Sequence, residues 1–153
     1  MNLTEESGFT TWPEAYYVFI EKVGPFYKTA PEAWQEIRRL GSRIAERNKI
    51  TGRLSLYKVG EKIYRAGCMM ASEPRDLPSE MQSTVLGGGG KYKRFVLVGP
   101  YSLMPQASAR VWEIVAQKEL PVRDDFAIEF YANDPMTTPE DELITEILVP
   151  VAG

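Results

Sequence analysis

The sequence contains no histidine and only one cysteine, Cys68, in 153 residues. The first absence excludes His-based catalytic triads, Cys–His pairs and most zinc sites. The second excludes an intramolecular disulfide and fits a reducing compartment. Basic charge is thin as well: 18 Lys and Arg stand against 21 Asp and Glu, for a net charge of −3. The densest basic stretch, Arg38-Arg39 with Arg43 and Arg47, has the spacing of the wet face of a helix. It is not the basic stripe that a nucleic-acid partner requires. Apolar runs fall far short of a membrane span, and Met1 to Thr10 is polar and acidic, without the apolar core of a signal peptide. These absences lead to the expectation of a soluble cytoplasmic protein with no direct nucleic-acid or membrane partner.

What is present is an ordinary globular balance, with 44% hydrophobic and 25% charged residues. The length fits one domain that buries enough surface to need no covalent staples. Tyr16-Tyr17-Val18-Phe19-Ile20 is aromatic and β-branched, the signature of a strand, and Gly24-Pro25 ends it. Thr29 to Glu32 has capping-box spacing, and Trp34, Ile37, Leu40, Ile44 and Ala45 then recur with a helical period. Arg53 to Val59 and Lys62 to Ala71 form a hairpin around Gly60-Glu61. A stretch with two prolines follows, then Gly87-Gly88-Gly89-Gly90. The glycine run lacks the Gly-Lys-Ser/Thr ending of a phosphate loop, so it is expected to be a flexible connector.

The pattern then starts again. Tyr92 to Val98 is a strand ended by Gly99-Pro100-Tyr101, and Val111, Ile114 and Val115 mark a helix with Trp112 beside the stripe. Phe126 to Ala132 and Leu143 to Val151 are strands, and Pro150 marks a sheet edge or a strand end. Both halves thus read strand, Gly-Pro-aromatic, Trp-bearing helix, strand, strand, with Gly24 and Gly99 lying 75 positions apart. The expectation is an internal duplication. Repeat one covers about 14–72, a linker about 73–90 and repeat two about 91–151. Two βαββ units give an α+β fold, an antiparallel sheet with two helices on one face, and leave the other face or the seam to form a groove.

Glu129 is the first candidate for chemistry. It lies in Ala127-Ile128-Glu129-Phe130-Tyr131, and alternation sets it and Tyr131 opposite Ile128 and Phe130. If Ile128 and Phe130 face the helices, Glu129 and Tyr131 face away. A Glu on the wet face of an ordinary sheet is equally compatible with the pattern. Tyr57, 74 positions before Tyr131, lies opposite Leu54 and Leu56 in the same way. Two tyrosines and a carboxylate would suit a flat cationic ligand. Trp112 is a candidate wall residue. Phe26 and Tyr101, after the Gly-Pro breaks, would either close the ends of a cleft or staple helix to sheet. Met70 is a candidate contact or a core filler. Cys68 reads as structural, and Glu140-Asp141-Glu142 as a solvated loop with no metal site.

The segments Tyr92 to Tyr101 with Trp112, Ile128-Glu129-Phe130-Tyr131, Asn133-Asp134-Pro135, Thr138-Pro139, Thr145-Glu146-Ile147 and Val149-Pro150-Val151 carry a resemblance. The chain resembles the gyrase-inhibitory-protein-like (GyrI-like) family and the effector-binding domain of some AraC-type and MerR-type regulators. The resemblance covers almost the whole chain. It is dense in the C-terminal half, and the N-terminal half matches mainly from Phe19 to Phe26. It implies a tandem βαββ fold with pseudo-two-fold symmetry and a central groove for amphipathic, often cationic, aromatic compounds. The family's buried acidic residue matches Glu129. Some members hydrolyse cyclopropane-bearing toxins with an acidic residue and an aromatic hydroxyl, for which Tyr57 or Tyr131 are the candidates. With only Met1 to Pro13 ahead of the first expected strand, no helix-turn-helix is expected. Three functions follow, in this order: a binding protein for cationic aromatics, a hydrolase using Glu129 and Tyr57, and an inhibitor of a protein partner such as DNA gyrase. No cofactor is expected.

Overall fold

The computed structural model describes residues Met1–Gly153. In chain order the elements are β1 (Asn2–Glu5), β2 (Thr10–Thr11), β3 (Ala15–Val23), α1 (Phe26–Ala45), β4 (Ile50–Lys58), β5 (Ile63–Met70), β6 (Gln82–Leu86), β7 (Lys91–Val98), α2 (Met104–Gln117), β8 (Ala127–Tyr131) and β9 (Ile144–Val151). Short 3-10 turns at Tyr101–Leu103 and Glu140–Glu142 precede α2 and β9. Neither helix is long and apolar enough to cross a membrane. The chain divides into two compact units, an N-terminal one of Pro13–Gly88 and a C-terminal one of Gly89–Gly153 with Met1–Trp12.

The N-terminal unit is an antiparallel sheet in the order β4-β5-β3-β6 with α1 against it. The helix starts directly after Gly24-Pro25, three residues before the Thr29 expected from the capping-box spacing. Pro25 sets the entry: its carbonyl accepts the Lys28 and Thr29 amides, both at 3.0 Å. Thr29 is buried and donates its hydroxyl to the same carbonyl at 3.2 Å, so it is not free to cap. The stretch expected as a connector is in part a strand, since β6 pairs with β3 from Ala15↔Leu86 to Phe19↔Gln82.

The C-terminal unit is ordered β1-β7-β9-β8, and β2 also pairs with β7. The polar first residues therefore form strands. They are tied down by ion pairs of Glu5 with Lys93 and Lys118 and of Glu6 with Arg94. The core on the helix side holds Phe95 and Leu97 from β7, Ile147 and Val149 from β9, and Ala107, Val111 and Val115 from α2. Pro150 sits in an inner strand of this unit, one residue from its end, where the β8 pairing has already stopped at Leu148. Its missing amide thus breaks no bond to β8.

The two units also correspond in backbone detail. Gly24 and Gly99 hold φ of +140° and +144°, a region that side chains disfavour. The Gly24 amide donates to the Lys62 carbonyl at 2.9 Å and the Gly99 amide to the Leu143 carbonyl at 2.8 Å, in each case just before the unit's last main strand.

Candidate functional site

The side of the sheet on which each candidate lies follows from register, because directly opposed residues of an antiparallel pair project to one face. Glu129 is opposite Ile147 and Tyr131 opposite Thr145. Ile147 belongs to the core packed under α2. Glu129 and Tyr131 therefore lie on the helix-bearing face, the reverse of the expectation from alternation. In the N-terminal unit the Trp34 indole N–H, on α1, donates to Ser55 Oγ at 3.2 Å and to Tyr64 Oη at 2.9 Å. Tyr57 is opposite Tyr64 and so also lies on the helix side.

The reason for the reversal is that these sheets bury apolar residues on both faces. Leu54, Leu56 and Tyr17 are buried, on the side away from α1, and Tyr17 stacks on Phe19 with centroids 5.5 Å apart. In the C-terminal unit Ile128 and Leu148 are buried on the side away from α2, and Trp12 packs edge-on against Phe130 at 5.2 Å. Aliphatic residues at alternate positions consequently do not identify the helix side.

Glu129 is partly open to solvent, and its Oε1 accepts a hydrogen bond from the Tyr131 hydroxyl at 3.2 Å. Residues two apart on a strand share a face, which is what brings the pair together. Burial pushes the Glu129 carboxyl up to about 7, against the smaller downward pull of the Tyr131 hydrogen bond. Near neutral pH this carboxyl is divided between its two protonation states. The Tyr131 ring meets the Tyr101 ring edge-to-face, centroids 5.3 Å apart. Tyr101 is placed by the turn that Gly99-Pro100 initiates.

The N-terminal unit repeats the aromatic pair. Phe26 meets Tyr57 edge-to-face at 5.7 Å and lies at the same distance from Tyr64. Ser55 stands 74 positions before Glu129, as Tyr57 does before Tyr131. Its Oγ lies 2.6 Å from the Tyr64 hydroxyl, closing a network with Trp34. The structure thus brings together Glu129, Tyr131 and Tyr101 in one unit and Phe26 and Tyr57 in the other.

Trp112 packs against the core cluster under α2, and its Nε1 is closed off without a hydrogen-bond partner. Met70 is 3% exposed and serves the packing of β5. Cys68 is buried, and burial pushes its thiol up to about 11, which suits an inert side chain. The network of Trp34, Ser55 and Tyr64 was not visible in the sequence. The offset that relates Tyr57 to Tyr131 also relates Ser55 to Glu129, a signal that went unused, and Tyr64 needed the strand register. No group of three or more Cys, Asp or Glu is arranged to hold a metal ion.

No curated protein matches the chain. Among solved structures, SAV2435 bound to tetraphenylphosphonium superposes with a TM-score of 0.75 at 19% identity, covering 97% of this chain and 94% of that one. The EcmrR C-terminal domain superposes with a TM-score of 0.76 at 16% identity, covering 97% and 98%. A hydrolase encoded by lin2189 from Listeria innocua gives 0.57 at 11% identity, covering 95% and 91%. The model of the GyrI-like small molecule binding domain matches residues 5–152. The chain belongs to the GyrI-like family of small-molecule-binding domains.

Proposed function

We propose that the chain is a binding domain for amphipathic, aromatic, cationic small molecules, with Glu129 meeting the positive charge. The observation that carries this reading is a partly buried carboxylate with one hydroxyl partner, set beside two tyrosine rings. A cation there replaces lost hydration by ring faces and a carboxylate, in surroundings of lowered dielectric. Tyr131 and Tyr101 supply flat apolar area at small entropic cost. The Phe26–Tyr57 pair offers similar ring surface on its own unit but no carboxylate. Trp112 adds an aromatic edge, while Met70 is assigned to packing. Tetraphenylphosphonium, the compound bound by SAV2435, is the natural first probe. The domain is assigned to the cytoplasm and to no direct nucleic-acid contact.

Titration calorimetry with tetraphenylphosphonium tests the reading on wild type and Glu129→Gln. Wild type is expected to bind and the variant to bind at least about tenfold more weakly. Equal affinity would remove Glu129 from the site.

A second reading is hydrolysis of cyclopropane-bearing alkylators. It draws on a carboxyl poised near 7 next to a tyrosine hydroxyl, a pair suited to taking a proton from water while the phenol protonates the opening ring. Tyr131 fits this donor role by its contact with Glu129. Incubation with such an alkylator followed by mass spectrometry would detect the ring-opened, water-added product. Turnover no faster than in buffer would dismiss this reading and leave binding intact.

A further inference from the structure

The two tryptophans hold corresponding places on their helices. Trp34 follows buried Ala33 and Trp112 follows buried Val111. One residue turns an α-helix by about 100°, so each indole sits on the same flank relative to its helix's buried stripe. In the N-terminal unit that flank reaches β4 and β5, where the indole N–H meets Ser55 and Tyr64. In the C-terminal unit Trp112 packs on the cluster that contains Ile147, the cross-strand partner of Glu129.

The partners that satisfy Trp34 are missing from the second unit. Glu129 stands where Ser55 stands, and Thr145 occupies the cross-strand position that Tyr64 occupies opposite Tyr57. The threonine side chain is too short to replace a phenol. Trp112 Nε1 and Thr145 Oγ1 are both enclosed with no hydrogen-bond partner. Enclosed polar atoms are normally paired, and one left unmet costs stability. The C-terminal unit therefore keeps an indole donor and leaves it unbonded, although Glu129 and Thr145 stand where the acceptors of Trp34 stand.

We propose that the Trp112 indole N–H donates a hydrogen bond to the bound ligand, so that the site selects aromatic cations that also carry a neutral acceptor such as a carbonyl or ether oxygen. This rests on the binding reading above and narrows its ligand class. The donor is enclosed in the free protein, so an acceptor reaches it only by displacing the side chains that cover it, and once there it does not compete with solvent. Glu129 supplies the attraction for charge and Trp112 the discrimination among cations. An acceptor-free cation leaves the donor unmet, as in the free protein.

The test compares tetraphenylphosphonium, which has no acceptor, with (4-acetylphenyl)triphenylphosphonium, which has the same permanent charge and a ketone oxygen. Wild type is expected to prefer the ketone probe by about tenfold. Replacing Trp112 by benzothienylalanine, which keeps the bicyclic shape and lacks the N–H, is expected to bring the ratio close to one. A wild-type ratio near one, or a ratio the replacement does not change, overturns the proposal. Indole ¹⁵N–¹H spectra of the wild-type chain give a readout that needs no variant. Of the three tryptophan signals, one is expected to move downfield with the ketone probe and not with tetraphenylphosphonium. The signal of Trp34, already bonded to Ser55 and Tyr64, stays in place. No such selective shift overturns the proposal. If neither probe binds, or both ignore Glu129→Gln, the binding reading itself fails, which is a different result from binding without preference.

Discussion

At the position where the N-terminal unit has Ser55, the C-terminal unit has Glu129. Around Ser55 the polar groups meet one another: the Trp34 indole N–H donates to Ser55 and Tyr64, whose hydroxyls share a hydrogen bond. Around Glu129 the same scaffold leaves a carboxyl with one phenol, an indole N–H with no acceptor and a threonine hydroxyl with no partner. Two units of the same element order are thus finished in two ways. One joins these polar groups to one another. In the other, the ligand proposed above would complete them, and the free chain bears the cost in stability.

The largest effect expected from breaking this contrast is Gly67→Ala in the N-terminal unit. A Cβ there would lie 2.1 Å from the Val18 carbonyl oxygen and 2.8 Å from the Tyr17 ring. The Tyr17 ring fills the space beside Gly67, whereas Leu148 fills the corresponding position, opposite Ile128 in the other unit. The substitution should cost at least about 3 kcal/mol in denaturant unfolding. Next comes the acidity of Glu129. Its folded-state pKa of about 7 exceeds the ordinary 4.5, so the folded chain holds the proton more tightly than the unfolded chain. The stability this contributes is fully present below pH 4.5 and is lost as pH rises through 7. The loss should be no more than about 3 kcal/mol, and Glu129→Gln should flatten that part of the stability profile. A permanent cation needs the ionised form, so its affinity should rise about tenfold per pH unit below 7 and level off above it. Affinity independent of pH between 5 and 8 would count against Glu129 as the charge partner.

Smaller effects sharpen the comparison. Trp34→Phe removes donations to two hydroxyls and should cost about 1–2 kcal/mol, with little effect on cation binding. Thr145→Val removes a hydroxyl that bonds nothing and should change stability by less than about 1 kcal/mol, in the favourable direction. A marked destabilisation by Thr145→Val would mean that its hydroxyl has a partner in solution.

The element order was legible because period and punctuation agree: Gly24-Pro25 and Gly99-Pro100 end strands and start helices, and the Val111–Val115 stripe reads directly as α2. Glu129 stood out for a sound reason, a carboxylate within a strand-forming run, and its contact with Tyr131 follows from their spacing of two. The facing of those residues was not legible. Leu54 and Ile128 are as deeply buried on one side as Ser55 and Ala127 are on the other, so alternation carried no directional information. β1 and β6 were missed because they are short and polar, and their strand character comes from pairing with β7 and β3 rather than from their own residues. The closed network at Ser55 depends on cross-strand register, which no local pattern encodes.

The C-terminal unit is not a continuous piece of chain, since it takes Met1–Trp12 along with Gly89–Gly153. During synthesis the first dozen residues emerge and must wait while the whole intervening unit is made. Lys118, the partner of Glu5, is translated 113 residues later, and Arg94, the partner of Glu6, 88 residues later. The N-terminal unit can form while the ribosome is still working; the carboxylate-bearing unit cannot finish until β9 is released. A nascent chain would therefore carry a completed N-terminal unit before the C-terminal one, because the Met1–Trp12 segment pairs with β7, which is translated after Gly88.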